Sequence, residues 1–422
     1  MTEILDTLIE RNSWWKEKNF KINYRRRMLY DKVEKFMKYK QMISITGLRR
    51  VGKTTLLEKI VVDSLASGIS PEKIVYFPFD EFRDIKLRDV LSEYSSIGKK
   101  DLRQGRYIIL FDEIQKVDDW ENQLKSIYDA YSTNLKIIIS GSESLFIRKR
   151  SKETLSGRLF EFRLKPLSFE EYLGFIDRKY EPVELYTKEL ENSFDDFIHC
   201  LGFPELVGIN EKEAIKKYVR EGVIEKIIYR DIPELLPIKD VSILASVYNA
   251  LEKEPGQLIE MRRLAGDMGI ARQTLSTYLN YLEDAFLIKK LYNYSRNARK
   301  VERSLKKYYT TIQSVDLAFS NDSDSRSKMF ESLVVNQLDA KFFWRDPQKH
   351  EVDIVLQNKQ PLPIEVKYGK VGFEGIGAFS AKFKTKKGYI VSYRAVEAKG
   401  NVAVIPAWKA LLDKDLTEEA EG

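Results

Sequence analysis

The stretch SITGLRRVGKTTLLEKI, residues 44–60, constrains this chain more than any other. Its centre, GLRRVGKT at residues 47–54, fits the spacing G-x-x-x-x-G-K-[ST], with an apolar run before it and an amphipathic run after it. A chain with that order must leave a buried strand through a glycine turn and enter a helix at once. Gly47 and Gly52 free backbone N–H groups to wrap a polyphosphate, and the helix start adds its partial positive charge. Lys53 is placed to bridge the outer phosphates, the Thr54 hydroxyl suits Mg²⁺, and Thr55 follows beside it. The cofactors implied are ATP and Mg²⁺.

A metal partner should end another buried strand, and YIILFDEIQ supplies it: Asp112 for the metal's water shell, Glu113 to polarise the attacking water. Adjacent carboxylates closing an apolar strand are costly unless they have such work. Four short apolar runs, QMISIT, KIVYFPF, RYIILFDE and LKIIISGS, alternate with helix-like segments such as WENQLKSIYDAYS. That alternation means βαβ crossovers and a parallel sheet covered on both faces.

Composition narrows the setting. The 422 residues suffice for two to four domains, with 43% hydrophobic and 32% charged. One cysteine and two histidines argue against a disulfide framework and a zinc site. The sequence has no apolar run near the roughly 20 residues of a membrane span and no signal core, so the expected home is the cytoplasm, with no membrane partner. A net charge of +7 permits nucleic-acid binding without demanding it. His199, His350 and Cys200 read as structural, and Trp14, Trp15 and Trp120 as packing residues.

Together, GLRRVGKT, LFDEIQ, IIISGSES, LSGRLFEFRLKPLSFEEY, LGFPELV and the late EVDIVL…PIEVK resemble an AAA+-type ATPase of the P-loop class that sets a glutamate beside its Walker B aspartate. More closely, the chain is similar to prokaryotic ATPases, common in archaea and related to the STAND class, that carry a C-terminal domain of unknown function. The resemblance implies that Ser140 or Ser142 senses the γ-phosphate. It implies that Arg158 in SGRLF is an arginine finger acting on a neighbouring subunit's nucleotide in a homo-oligomer. Gly202 and Pro204 resemble the lid motif whose proline packs near the base. Each has an ordinary alternative: a helix cap for Ser142, a surface ion pair for Arg158, a turn for GFP. Arg49 and Arg50 fit the family, and could touch phosphate, an adjacent carboxylate or a neighbouring subunit.

Downstream, residues 259–291 have helix-turn-helix spacing, with Leu264, Ala265 and Met268 on one helix and Leu275, Tyr278, Leu279 and Leu282 inward on the next. Arg272, Gln273, Thr274, Ser276 and Thr277 then lie near the end that meets base edges; DNA contact and protein packing both fit. In WRDPQKHEVDIVLQNKQPLPIEVKYGK, Asp353 stands in one strand, while Glu365 and Lys367 share a face of the next. With Glu331 on the preceding helix they resemble the metal-binding PD-(D/E)xK nuclease core, although Val352 replaces the proline expected before the aspartate. Lys300, Arg303, Lys306 and Lys307 ahead of it, and Lys382, Lys384, Lys386 and Lys387 behind, could track a phosphate backbone.

The expected class is α/β: a P-loop NTPase parallel sheet with a helical lid, then a winged helix-turn-helix and a small α/β nuclease-like domain. The expected division is a basic helical segment (1–39), ATPase core (40–165), lid (166–235), winged helix (236–299), PD-(D/E)xK-like domain (300–410) and acidic tail (411–422). Three functions compete: a DNA-acting ATPase, with or without metal-dependent cleavage of duplex or branched DNA; a STAND-like switch; and a protein-remodelling ATPase.

Overall fold

The structure, a computed structural model, describes residues 3–17, 20–82, 84–98, 100–141, 154–357 and 360–417. The chain divides into two compact units, Met1–Pro166 and Leu167–Gly422.

In the first unit the apolar runs form β1 (Met42–Thr46), β2 (Ile74–Pro78), β3 (Tyr107–Asp112) and β4 (Leu135–Gly141), every residue of them buried, followed by β5 (Leu159–Arg163). Such continuous burial is what a sheet covered on both faces requires. The strand order is β2-β3-β4-β1-β5, all parallel. This is the α/β P-loop sheet that the sequence leads one to expect. Parallel strands end on one edge of the sheet, where ligands of such sheets bind. That edge gathers the turn after β1, Asp112 at the end of β3, and Ser140 near the end of β4. Helix Lys53–Ala66 starts directly from the glycine turn.

The N-terminal residues complete this unit. β2 is an edge strand. The Asn12 amide accepts from Tyr76 N (2.7 Å) and donates to Tyr76 O (2.9 Å), while the indole N–H groups of Trp14 and Trp15 both donate to Ile74 O.

The second unit begins with helices, among them Phe169–Phe175, Thr187–Cys200 and Val241–Lys253. It holds two sheets. One has the order β10-β9-β7-β8-β6, from β6 (Leu258–Ile259), β7 (Ile288–Asn293), β8 (Lys306–Thr310), β9 (Phe342–Arg345) and β10 (Glu351–Val352). The other has the order β11-β12-β13-β15-β14, from β11 (Ile354–Gln357), β12 (Pro361–Lys367), β13 (Gly388–Ser392), β14 (Glu397–Lys399) and β15 (Val402–Pro406). Trp344 and Val352 of the first sheet share a buried cluster with Val355, Ile390 and Val404 of the second.

Helices Met261–Asp267 and Arg272–Asp284 stand between β6 and β7. Leu275, Tyr278, Leu279 and Leu282 are buried, while Arg272, Gln273 and Ser276 are exposed and Thr274 and Thr277 half-buried. The division expected at residue 299/300 falls between β7 and β8, which are antiparallel hydrogen-bonded neighbours. The tail beyond Thr417 lies outside the described residues. Among the described residues no helix is long and apolar enough to cross a membrane.

Candidate functional site

The turn after β1 needs its glycines. Gly47 has φ 154°, and a Cβ there would lie 2.2 Å from the carbonyl oxygen of Leu164. Gly52, at φ 97°, precedes the first helical residue, Lys53. Arg50 also adopts a left-handed backbone, at φ 64°; its side chain is exposed and that of Arg49 half-buried. Lys53 is 5% exposed, and its ammonium donates to the carbonyls of Gly47 (3.0 Å) and Leu48 (3.2 Å). Thr54, exposed, and Thr55, half-buried, follow on the first helical turn.

Across the sheet edge, Asp112 is 3% exposed and heavily hydrogen-bonded. Its Oδ2 accepts from the Thr54 hydroxyl (2.7 Å) and the Tyr76 hydroxyl (2.9 Å). Its Oδ1 accepts from the Ser140 hydroxyl and from Glu113 N (3.1 Å). Burial pushes the Asp112 carboxyl above its ordinary value, with Glu113 adding to the effect, while the hydroxyls of Ser140, Thr54 and Tyr76 pull it back. Burial, with Asp112 alongside, also raises the Tyr76 phenol, which therefore remains a donor.

Strand alternation would send consecutive side chains to opposite faces. The chain leaves β3 at Glu113 with a left-handed backbone, φ 52°, a conformation costing about 1–3 kcal/mol for a non-glycine residue. The carboxylate of Glu113 thereby comes within 3.8 Å of Lys53 Nζ, and the Gln115 amide donates to it. Glycine turn, ammonium, hydroxyl and two carboxylates thus converge at one sheet edge.

Two contributors escape the motif reading. Tyr76 stands in KIVYFPF, where a phenol inside an apolar strand signals a buried partner. Arg27 gave no such signal among Arg25, Arg26 and Arg27. It is 4% exposed and clamps two carbonyls, Val51 of the glycine turn and Lys165 beyond β5, each at 2.6 Å.

Other expected residues stand apart from this edge. Arg158 forms an ion pair with Asp129, with Nε 3.0 Å from Oδ1. Ser142 lies outside the described residues. Gly202 and Pro204 belong to the second unit. Leu201 and Gly202 close helix Thr187–Cys200 with left-handed backbones, Leu167 N donates to Gly202 O (2.7 Å), and Pro204 opens the short turn Pro204–Leu206. Cys200 is buried, and burial pushes its thiol up to about 12.

The second unit gathers Glu331, Asp353, Glu365 and Lys367, together with Glu351 and Lys307. Lys307 was expected among surface lysines; instead it is 4% exposed, because it faces inward from β8 between β6 and β7. Its ammonium lies 2.6 Å from Glu351, 3.3 Å from Glu331 and 3.8 Å from Asp353. Tyr309 donates to Glu331 (2.6 Å), Arg345 pairs with Glu351 (3.0 Å), Asp353 accepts from Val366 N (2.8 Å), and Lys367 pairs with Glu365 (2.8 Å). Burial works against the charge on Lys307, but Glu331, Asp353 and Glu351 outweigh it, and its pKa is raised. Burial raises both Glu331 and Glu365; Asp353 reinforces the rise at Glu331, and Lys367 opposes it at Glu365. Glu365 Oε2 is buried without a hydrogen-bond partner. Among the described residues, no group of three or more carboxylate, histidine or cysteine side chains is arranged to hold a metal ion.

Residues 39–173 match the AAA domain family, and residues 191–312 match a domain of unknown function, DUF8612. An uncharacterized protein of Methanocaldococcus jannaschii is 28% identical, over 91% of this chain and 88% of its own length. An uncharacterized protein of Haemophilus influenzae is 26% identical, over 83% of this chain and 86% of its own. Among solved structures, the replication initiator DnaA bound to AMPPCP and single-stranded DNA aligns at TM-score 0.30 and 15% identity, over 63% of this chain and 91% of that one. Cdc6p from Pyrobaculum aerophilum aligns at TM-score 0.30 and 12% identity, over 72% and 95%.

Proposed function

We propose that this chain, which carries an AAA-type P-loop ATPase domain at residues 39–173, hydrolyses ATP and uses the nucleotide state to control engagement of DNA by its second unit. The bond from Thr54 to Asp112 carries the first half of this reading, because it joins the two motifs that must share a metal ion.

The turn at residues 47–54 would bind the phosphates through backbone N–H groups, with Lys53 moving from its own loop carbonyls onto the outer phosphates. The donor set at the sheet edge fits Mg²⁺, which takes one or two protein carboxylates and fills its shell with water and phosphate oxygens. Thr54 and Asp112 would hold it, and it would neutralise charge on the β- and γ-phosphates. Glu113 would orient the attacking water and take up its proton. Ser140 would report on the γ-phosphate through Asp112, and Arg158 would leave Asp129 to act on a neighbouring subunit's nucleotide.

Support for the DNA half comes from Arg272, Gln273 and Ser276, exposed near the start of a helix whose opposite face is packed into the fold. Turnover measured with and without single-stranded, duplex and branched DNA tests the coupling. Stimulation by DNA that is lost in Arg272→Ala/Gln273→Ala supports it. Stimulation by protein instead would favour remodelling. No DNA binding in any nucleotide state would refute the proposal. Cleavage forms no part of it, because Lys307 stands among the carboxylates that a nuclease centre would need for metal.

A further inference from the structure

We propose that Lys307 is the resident cation of the carboxylate centre in the second unit, its ammonium filling the place that a divalent metal would take between Glu331, Glu351 and Asp353. The centre then has no metal-bound water with which to hydrolyse a phosphodiester. The inference concerns the second unit alone and stands whether or not the chain hydrolyses ATP.

Three observations carry it. The first is position: Lys307 Nζ contacts three carboxylates at once, at 2.6, 3.3 and 3.8 Å. The second is anchorage. Lys307 pairs with Leu291 on one side and Leu258 on the other, so its backbone is held on both edges of β8. Its ammonium also lies 5.6 Å from the Phe343 ring centroid. A side chain that is 4% exposed and so held is not a mobile surface lysine. The third is the further bonding of these carboxylates. Glu331 Oε1, the oxygen that meets Lys307, also accepts from the Tyr309 hydroxyl, which lies two residues from Lys307 and so on the same face of β8. Glu351 turns its other oxygen to Arg345, and Asp353 accepts from Val366 N.

Charge supports the same conclusion. Glu331, Glu351, Asp353 and Glu365 are met by Lys307, Arg345 and Lys367, so protein cations already offset most of the negative charge. Buried carboxylates need such partners, and a metal is one way to provide them. Here β8 provides an ammonium instead. The unpartnered Glu365 Oε2 would welcome a metal. It cannot recruit one alone, since Glu331 Oε1 and both oxygens of Asp353 are committed to Lys307, Tyr309 and Val366 N.

The test is Mn²⁺ titration of the nucleotide-free full chain, with free Mn²⁺ followed by electron paramagnetic resonance. Wild type and Asp353→Asn should bind equal numbers of ions. Lys307→Met should bind one more per chain, and Lys307→Met/Asp353→Asn should lose it again. An Asp353-dependent ion in wild type would overturn the proposal, as would a folded Lys307→Met that gains none. Should Lys307→Met not fold, Lys307→Gln takes its place, and the comparison of wild type with Asp353→Asn decides without any change at Lys307. Labelled duplex and branched DNA should also stay intact with Mn²⁺; cleavage by wild type that Asp353→Asn abolishes would contradict the inference.

Discussion

The Thr54 hydroxyl donates to Asp112 Oδ2 at 2.7 Å, closing a gap of 58 residues in the chain. β1 and β3 are not neighbours in the sheet, since β4 runs between them. The bond therefore spans the sheet edge over β4, where Ser140 adds a third hydroxyl contact to the same carboxylate. Glycine turn and carboxylate are prepared as one unit, and perturbing either side should disable both.

Lys53→Ala should abolish ATP binding, measured with a fluorescent ATP analogue. Glu113→Gln should keep binding and lower phosphate release by about 10²–10⁴-fold, the usual contribution of a general base. Full turnover in either variant would refute the roles of Lys53 and Glu113 in hydrolysis.

Tyr76→Phe removes one donor from a buried carboxylate. Chemical denaturation should show stability lower by about 1 kcal/mol with an unchanged m-value. Because Asp112 loses a partner that orients it, the Mg²⁺ concentration for half-maximal turnover should rise. An unaltered midpoint would mean that the hydroxyl contributes no net interaction.

Arg27→Ala frees the carbonyls of Val51 and Lys165 from their guanidinium clamp. Each bond is charge-assisted, so the loss should be about 1.5–3 kcal/mol per bond at most, and ATP affinity should fall with it. Arg27→Lys should not restore affinity, because an ammonium lacks the forked geometry that spans two carbonyls. Calorimetric titration of all three proteins decides this, and equal affinities would make the clamp irrelevant to the nucleotide.

Arg158→Ala should cost under about 1 kcal/mol of stability, since its pair with Asp129 is partly exposed. Turnover should nevertheless fall while binding survives. Mixing this variant with Glu113→Gln should return part of the turnover, since each supplies what the other lacks. Absence of any return would count against a finger acting between subunits.

Cys200, its thiol held up at about 12 against an ordinary 9, should resist thiol reagents in the native protein and react fully in denaturant. Its folded pKa is the higher one, so its contribution is fully present below pH 9 and is lost as pH rises toward 12. At pH 10 the loss should be on the order of 1 kcal/mol, and Cys200→Ala should remove that portion of the alkaline slope. Rapid native labelling at neutral pH would show that burial does not protect it.

Much of the first unit was legible because its chemistry is local in sequence. The glycine turn, Lys53 and Thr54 are contiguous, and Asp112 and Glu113 end one apolar run. The inward residues of helix Arg272–Asp284 were legible for a related reason, since helical spacing alone selects Leu275, Tyr278, Leu279 and Leu282. Tyr76, Arg27 and Lys307 were not read from motifs, because each acts on residues brought near only by the tertiary fold. Lys307 misleads most, standing in a run of basic residues that looks solvated. The alternation in KKYYT would have placed Lys307 and Tyr309 on one face, but nothing local says that this face meets Glu331 and Glu351.

The side chains laid along β2 have a consequence for how the protein behaves in solution. An uncovered edge strand is a template on which another chain can add its own backbone, the first step toward fibrous aggregates. Here Asn12 satisfies both the N–H and the carbonyl of Tyr76, the two indoles occupy Ile74 O, and Pro78, with no N–H to offer, ends the strand. Asn12, Trp14 and Trp15 thus act as a stopper on sheet growth. A chain trimmed to begin at the glycine turn's own strand would keep every residue proposed for hydrolysis and still be prone to precipitate.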